Sequence, residues 1–213
     1  MNKLTKISVA LMLALAMNNS HAALTITGAT ASSYNFALLN GNILTDGAIF
    51  QIGYYNTAVT TASFSGLTSG SAFETGWTSL ASSSANAFDT AGLRSATADL
   101  ATGVNTYEGK TLVMLVGNAS TMSGSTQAGV FANSNWIAPA NPTGITPTDY
   151  AFDVSDAGTQ ALFGSLRLGA GAYSGDGVVN SANLAVIIPE PSSASLLALG
   201  MAGLVALRAR RKS

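Results

Sequence analysis

The sequence predicts an all-β protein: an antiparallel β-sandwich of jelly-roll or immunoglobulin-like type, flanked by an N-terminal signal peptide and a C-terminal short transmembrane helix. Three observations carry the sandwich. Between Ala23 and Ile187 no run of a dozen residues sustains an i, i+3, i+4, i+7 apolar stripe, so helical periodicity is nearly absent. Short runs rich in Val, Ile, Thr, Tyr and Phe recur instead, separated by Gly, Asn, Asp and Ser clusters. Asn40-Gly41-Asn42 and Thr45-Asp46-Gly47 are turn chemistry, since Asn and Gly accept the positive φ of tight turns. Many short strands with frequent turns bury their apolar faces as two packed antiparallel sheets, with an open barrel as the alternative.

The elements follow in chain order. Residues 1–22 read as the signal peptide: Lys3 and Lys6 precede the apolar run 7–17, and Ser20-His21-Ala22 supplies a small-x-small site for cleavage between Ala22 and Ala23. That run is too short to span a bilayer. Residues 23–187 form the sandwich domain, about 165 residues and long enough for a real core without disulfide or metal staples. Its candidate strands are 24–27, 34–39, 49–55, 59–64, 111–116, 128–132, 150–154, 162–168 and 184–188. The stretch 66–104 is dominated by Ala, Ser and Thr, and within it 85–100 reads as a short helix or a long loop.

Residues 188–213 have a different composition. Pro189-Glu190-Pro191 biases its neighbours to extended geometry and lacks amide donors at both prolines, which makes it an accessible strip that a protease can read. A helix over 192–207 would rise about 24 Å, short of the roughly 30 Å hydrocarbon core. Arg208, Arg210, Arg211 and Lys212 follow it, and the positive-inside rule places them in the cytoplasm with the body across the membrane. This order of break, apolar helix and basic cluster resembles the PEP-CTERM sorting signal of Gram-negative bacteria that make extracellular polysaccharide. The resemblance covers about the last 25 residues. It implies exosortase, a membrane protease, as the partner that recognises and cleaves at Pro189, Glu190 and Pro191. It further implies signal peptidase and the secretion machinery at the front, membrane attachment through the C-terminal helix, and exopolysaccharide as a partner of the exported body. The location implied is the inner membrane transiently, then the cell surface or extracellular matrix. The body also resembles other small PEP-CTERM proteins at Ile49-Phe50-Gln51-Ile52-Gly53-Tyr54-Tyr55, Gly109-Lys110-Thr111-Leu112-Val113, Gln127-Ala128-Gly129-Val130-Phe131, and Trp136 with Pro139. That likeness implies a sandwich-like fold and lends nothing to a catalytic reading.

The chemistry available to the body is narrow. The chain has no cysteine, and its one histidine, His21, lies in the signal peptide, so Ser-His-Asp and Cys-His catalysis and the usual zinc ligands are excluded. Arg94, Lys110 and Arg167 face nine acids between residues 23 and 187, a net charge of −6. Nucleic acid is therefore not expected as a partner, because phosphate binding needs clustered cations. Glu74 and Glu108, the only glutamates of the body, could in principle work as a glycosidase pair, but scattered acids read first as solvated surface charge. Asp149, Asp153 and Asp156 invite a calcium reading. So does the run from Gly175-Asp176-Gly177 to Asn183, which is similar to half of a dockerin loop, but Ala172 and Ser174 stand where oxygen ligands belong. Neither metal nor cofactor is expected. Trp77, Trp136 and the tyrosines at 34, 54, 55, 107, 150 and 173 could stack on sugars or fill the core, and adjacent Tyr54 and Tyr55 must point to opposite faces. The expectation is an exported, non-enzymatic cell-envelope or extracellular-matrix protein. A carbohydrate-binding module and a carboxylate-dependent secreted hydrolase stand as the alternatives.

Overall fold

The apolar run 112–116 of the body lies at the centre of its largest sheet. The computed structural model describes residues 24–30, 34–44, 47–83, 95–100, 106–140, 148–167 and 180–187. Its strands are β1 (Leu24–Ala29), β2 (Tyr34–Ala37), β3 (Phe50–Tyr55), β4 (Trp77–Ser83), β5 (Ser95–Leu100), β6 (Thr111–Gly117), β7 (Gln127–Ile137), β8 (Thr148–Asp153), β9 (Gln160–Phe163), β10 (Ser165–Arg167), β11 (Asn180–Asn183) and β12 (Ala185–Val186). β3 is buried along its whole length and β6 from Leu112 onward. A strand that meets water on neither face reads as a continuous apolar run. β1 alternates instead, Leu24 and Ile26 buried and Thr25 and Thr27 half-buried, as expected of a strand with one face on the core.

The large sheet runs β12-β7-β6-β3-β4, with β9 also paired to β7; two smaller sheets run β5-β1-β8 and β10-β11-β2. Both small sheets lie on one face of the large one. Leu24, Ile26 and Phe152 from the first and Phe36 and Ala182 from the second share a buried cluster with Phe50, Ile52, Met114 and Phe131 of the large sheet. Phe36 sits with its ring centroid 5.5 Å from that of Phe50 and 5.6 Å from that of Phe131. The opposite face of the large sheet is covered by two 3-10 turns, Thr61–Phe64 and Gly70–Glu74, and by the loop after β6; Phe64, Phe73 and Met122 close over Val113, Leu115 and Val130. The architecture is thus all-β, mostly antiparallel and consistent with a sandwich. Among the described residues there is no α-helix, and no helix long and apolar enough to cross a membrane. The signal peptide and the C-terminal transmembrane helix expected from the sequence lie outside the described residues.

Several expectations change. Two pairings, β1 with β8 and β11 with β2, are parallel, so the sheets are not purely antiparallel. Parallel neighbours are joined through long crossovers, and no local pattern announces them. The candidate strand 59–64 is a 3-10 turn: the Ser63 hydroxyl takes the Thr60 N–H at 3.0 Å, and the Ser63 N–H donates to the Thr60 carbonyl at 2.9 Å. Such local side-chain bonds compete with a strand ladder. Phe64 then stacks on Phe73 with centroids 5.8 Å apart. The candidate strand 162–168 breaks at Gly164, whose φ of +100° suits only glycine and which lies against the Asn183 carbonyl, leaving β9 in the large sheet and β10 in a small one. The C-terminal strand, expected at 184–188, begins at Asn180 and changes sheets at Leu184, giving β11 and β12. In the stretch read as helix or loop, 95–100 is strand β5, and 84–94 lies outside the described residues.

Candidate functional site

Between Thr111 and Val113 of β6, the partner strand β7 runs from Ile137 back to Ala132. β7 therefore takes five residue steps where β6 takes two, and the surplus leaves the ladder as a bulge. Two side chains pin it. Trp136 is buried in the core, and its indole N–H donates to Asp156 Oδ2 at 2.7 Å; that oxygen also accepts the Asp153 N–H at 2.9 Å. Asn133 is fully engaged: its amide donates to the Ala157 carbonyl at 3.0 Å and to Thr159 Oγ1 at 3.3 Å, and its Oδ1 accepts the Asn135 N–H at 2.9 Å.

Beside the bulge lies a cleft of about 430 Å³. Four segments wall it: the chain leaving β3 (Asn56, Thr57, Val59), the entry to β6 (Lys110 just before it and Thr111), the bulge (Asn133, Ser134) and β9 (Gln160, Leu162). Tyr55, Val113 and Ala132 complete an apolar part on the outer face of the large sheet. Lys110 is the only charged residue of the lining. Lys110, Thr111, Ser134 and Gln160 have side chains without a hydrogen-bond or ion-pair partner among the described residues, and Asn56 takes only a long bond from Thr78 Oγ1 at 3.5 Å. Thr57, Thr111, Ser134 and Gln160 are exposed, so the polar rim is open to solvent. Tyr55 is structural: its hydroxyl donates to the Phe73 carbonyl at 2.6 Å, and burial, helped by the Glu74 carboxylate, holds the phenol well above its ordinary range.

The structure disperses the other candidates. Glu74 and Glu108 are both exposed; Glu74 acts on Tyr55 in the outer layer, Glu108 on Tyr107 in the cluster between the sheets. Nothing draws the two carboxylates into one site. Asp153 accepts the Ser155 N–H at 2.7 Å, so Asp153 and Asp156 organise a turn and hold Trp136. Among the described residues no three His, Cys, Asp or Glu side chains gather as a metal cluster. Asp176 lies outside them, and Asn180–Asn183 is a strand. Tyr54 and Tyr55 do take opposite faces, one in each cluster, and both are buried, as are Tyr34, Tyr107 and Trp136. Trp77 and Tyr150 are half-buried against those clusters, so the described aromatic rings fill the interior; Tyr173 lies outside the described residues.

The described fold ends at Ile187, buried and with its N–H donating to the Thr126 carbonyl at 2.9 Å. A family model of the PEP-CTERM protein-sorting motif matches residues 188–212, beginning at the next position. The chain carries a PEP-CTERM sorting motif. Neither a curated protein nor a solved structure matches the chain. The motif implies an exosortase-sorted, extracellular protein. Pro189, Glu190, Pro191, Arg208, Arg210 and Arg211 fall within the match, and they, like Ala22 and Ala23, lie outside the described residues. The stretches that resemble small PEP-CTERM proteins, 49–55, 109–113 and 127–131, contribute β3, β6 and β7, three adjacent strands of the large sheet. The cleft was not legible in the sequence. Its one signal is Lys110, the sole lysine between residues 23 and 187.

Proposed function

We propose that this chain is a non-enzymatic structural protein of the cell envelope or extracellular matrix, cleaved by exosortase near Pro189-Glu190-Pro191 and retained in, or released to, the exopolysaccharide layer. The observation that carries the reading is the junction at Ile187. The last residue of the body is hydrogen-bonded into it, and the PEP-CTERM motif starts at residue 188. Cleavage at the tripeptide removes no strand among the described residues. The residue inventory supports the non-enzymatic part: without histidine or cysteine after residue 22, the many hydroxyls of the body have no imidazole to activate them and no thiol to replace them. The dispersed Glu74 and Glu108 weigh against the hydrolase alternative.

Intact-mass spectrometry of the native protein tests the processing. The expected N-terminus is Ala23 and the expected C-terminus lies close to Pro189-Glu190-Pro191; a steady-state chain still carrying 208–213 refutes cleavage. Alanine at all three tripeptide positions is expected to trap the protein at the inner membrane. Fractionation tests the matrix role, which fails if the protein does not accompany the polysaccharide layer. Degradation of any polysaccharide in a panel, lost in Glu74→Ala or Glu108→Ala, would revive the hydrolase. The cleft favours carbohydrate binding as a second reading, by a polar rim in place of the aromatic strip expected from the sequence.

A further inference from the structure

We infer that the cleft beside the β7 bulge is a binding site for an anionic saccharide, a sugar segment bearing a carboxylate or sulfate, with Lys110 as its charge-recognising group. The inference rests on the matrix reading and gives it a site. The bulge is built to keep the cleft open: three extra residues leave the ladder, and both anchors of the excursion, Trp136 and Asn133, have all their side-chain polar groups hydrogen-bonded within the body. The groups lining the opening are the reverse. The side chains of Lys110, Thr111, Ser134 and Gln160 have no intramolecular partners among the described residues, although the last three come from three separate strands and Lys110 stands just before β6.

The chemistry of these groups selects the ligand. Hydroxyls and carboxamides both donate and accept, which suits ligands whose hydroxyls do the same at short intervals. The half-buried Ala132 and Leu162 beside them give a sugar ring an apolar face to cover. A cleft of about 430 Å³ is of the size that holds small ligands. Lys110 is the only charge in the lining, so the ligand should carry an anion. The body is acidic overall, but Asp99 and Asp149 belong to the β5-β1-β8 sheet, on the other side of the large sheet from the cleft. The other described acids, Glu74, Glu108, Asp153 and Asp156, are outside the lining, and Asp156 is already engaged by the Trp136 indole. A lysine is a point charge without a planar fork, so it accepts carboxylate or sulfate alike.

Affinity electrophoresis of the processed, secreted protein tests the site, with oligouronate, sulfated oligosaccharide and neutral glucan of equal length as probes. Retardation by at least one anionic probe, at least tenfold stronger than by the glucan, is the expected result. Lys110→Met keeps the stem without the charge and should lose about tenfold, the scale of one charge-assisted hydrogen bond. Lys110→Arg should bind within threefold of wild type, and Gln160→Ala should weaken binding severalfold with the same melting curve. Equal binding of glucan and anionic probes, no binding of any probe, or an unchanged Lys110→Met overturns the site. The two readings fail separately: absence from the polysaccharide fraction of native cells removes the matrix role, whereas a protein that stays there without Lys110-dependent binding removes only the cleft.

Discussion

Replacing Asp156 by alanine should destabilise the protein mainly through Trp136, twenty residues away in the chain. Asp156 Oδ2 accepts two N–H groups, the Trp136 indole at 2.7 Å and the Asp153 backbone at 2.9 Å. The indole is buried, 2 % exposed, so loss of its acceptor leaves a donor that water does not readily reach. Bonds to a carboxylate contribute about 1.5–3 kcal/mol when well desolvated, and the exposed position of Asp156 argues for the low end. About 1.5 kcal/mol for the indole bond and about 1 kcal/mol for the backbone bond give about 2.5 kcal/mol in all. With a urea m-value of about 2 kcal/mol/M, the midpoint falls by about 1.2 M. In a Trp136→Phe background only the backbone bond remains to be lost, and the same substitution should lower the midpoint by about 0.5 M. The double-mutant cycle, followed by circular dichroism during urea denaturation, should therefore show a coupling of about 1.5 kcal/mol. Equal losses in the two backgrounds would refute the claim that the carboxylate acts through the indole, and with it the account of how the bulge is held.

Other consequences follow from burial and backbone geometry. Burial is the largest cause raising the phenol pKa values of Tyr34, Tyr55, Tyr107 and Tyr150 above 10.0. Folding thus favours their protonated forms, so this stability is whole below pH 10 and is lost as pH climbs through the raised values; urea midpoints should fall in strongly alkaline buffer, less steeply in Tyr55→Phe, and a rise with pH contradicts the sign. Phe36→Ala, at a fully buried site between Phe50 and Phe131, should cost about 3–5 kcal/mol in thermal or urea unfolding, and a loss below 1 kcal/mol would mean the cluster repacks. Gly70→Ala would push a methyl into the Met122 backbone carbonyl, whereas Gly66→Ala, at φ +76°, meets open space. The first should therefore lose about 3 kcal/mol by overpacking and the second about 1 kcal/mol from backbone strain, an order readable from paired melting curves.

The sequence alone determined the C-terminal sorting motif and the central strands. Pro-Glu-Pro before an apolar stretch and an arginine cluster is a local pattern whose meaning does not depend on what the body folds into. β3, β6 and β7 were legible because apolar density within a few residues is enough to mark a strand buried on both faces. Local density misled at 59–64, where the Thr and Ser hydroxyls that make the run look extended also bond the turn that replaces the strand. Only the tertiary structure decided the partners. The parallel neighbours β1 with β8 and β2 with β11 are far apart in sequence, and a strand's alternation says which of its faces is buried, not what lies beside it. The cleft is of the same kind: Lys110, Ser134 and Gln160 meet because a register shift against β6 throws out the β7 bulge beside β9, and register is a relation between segments that no single segment contains.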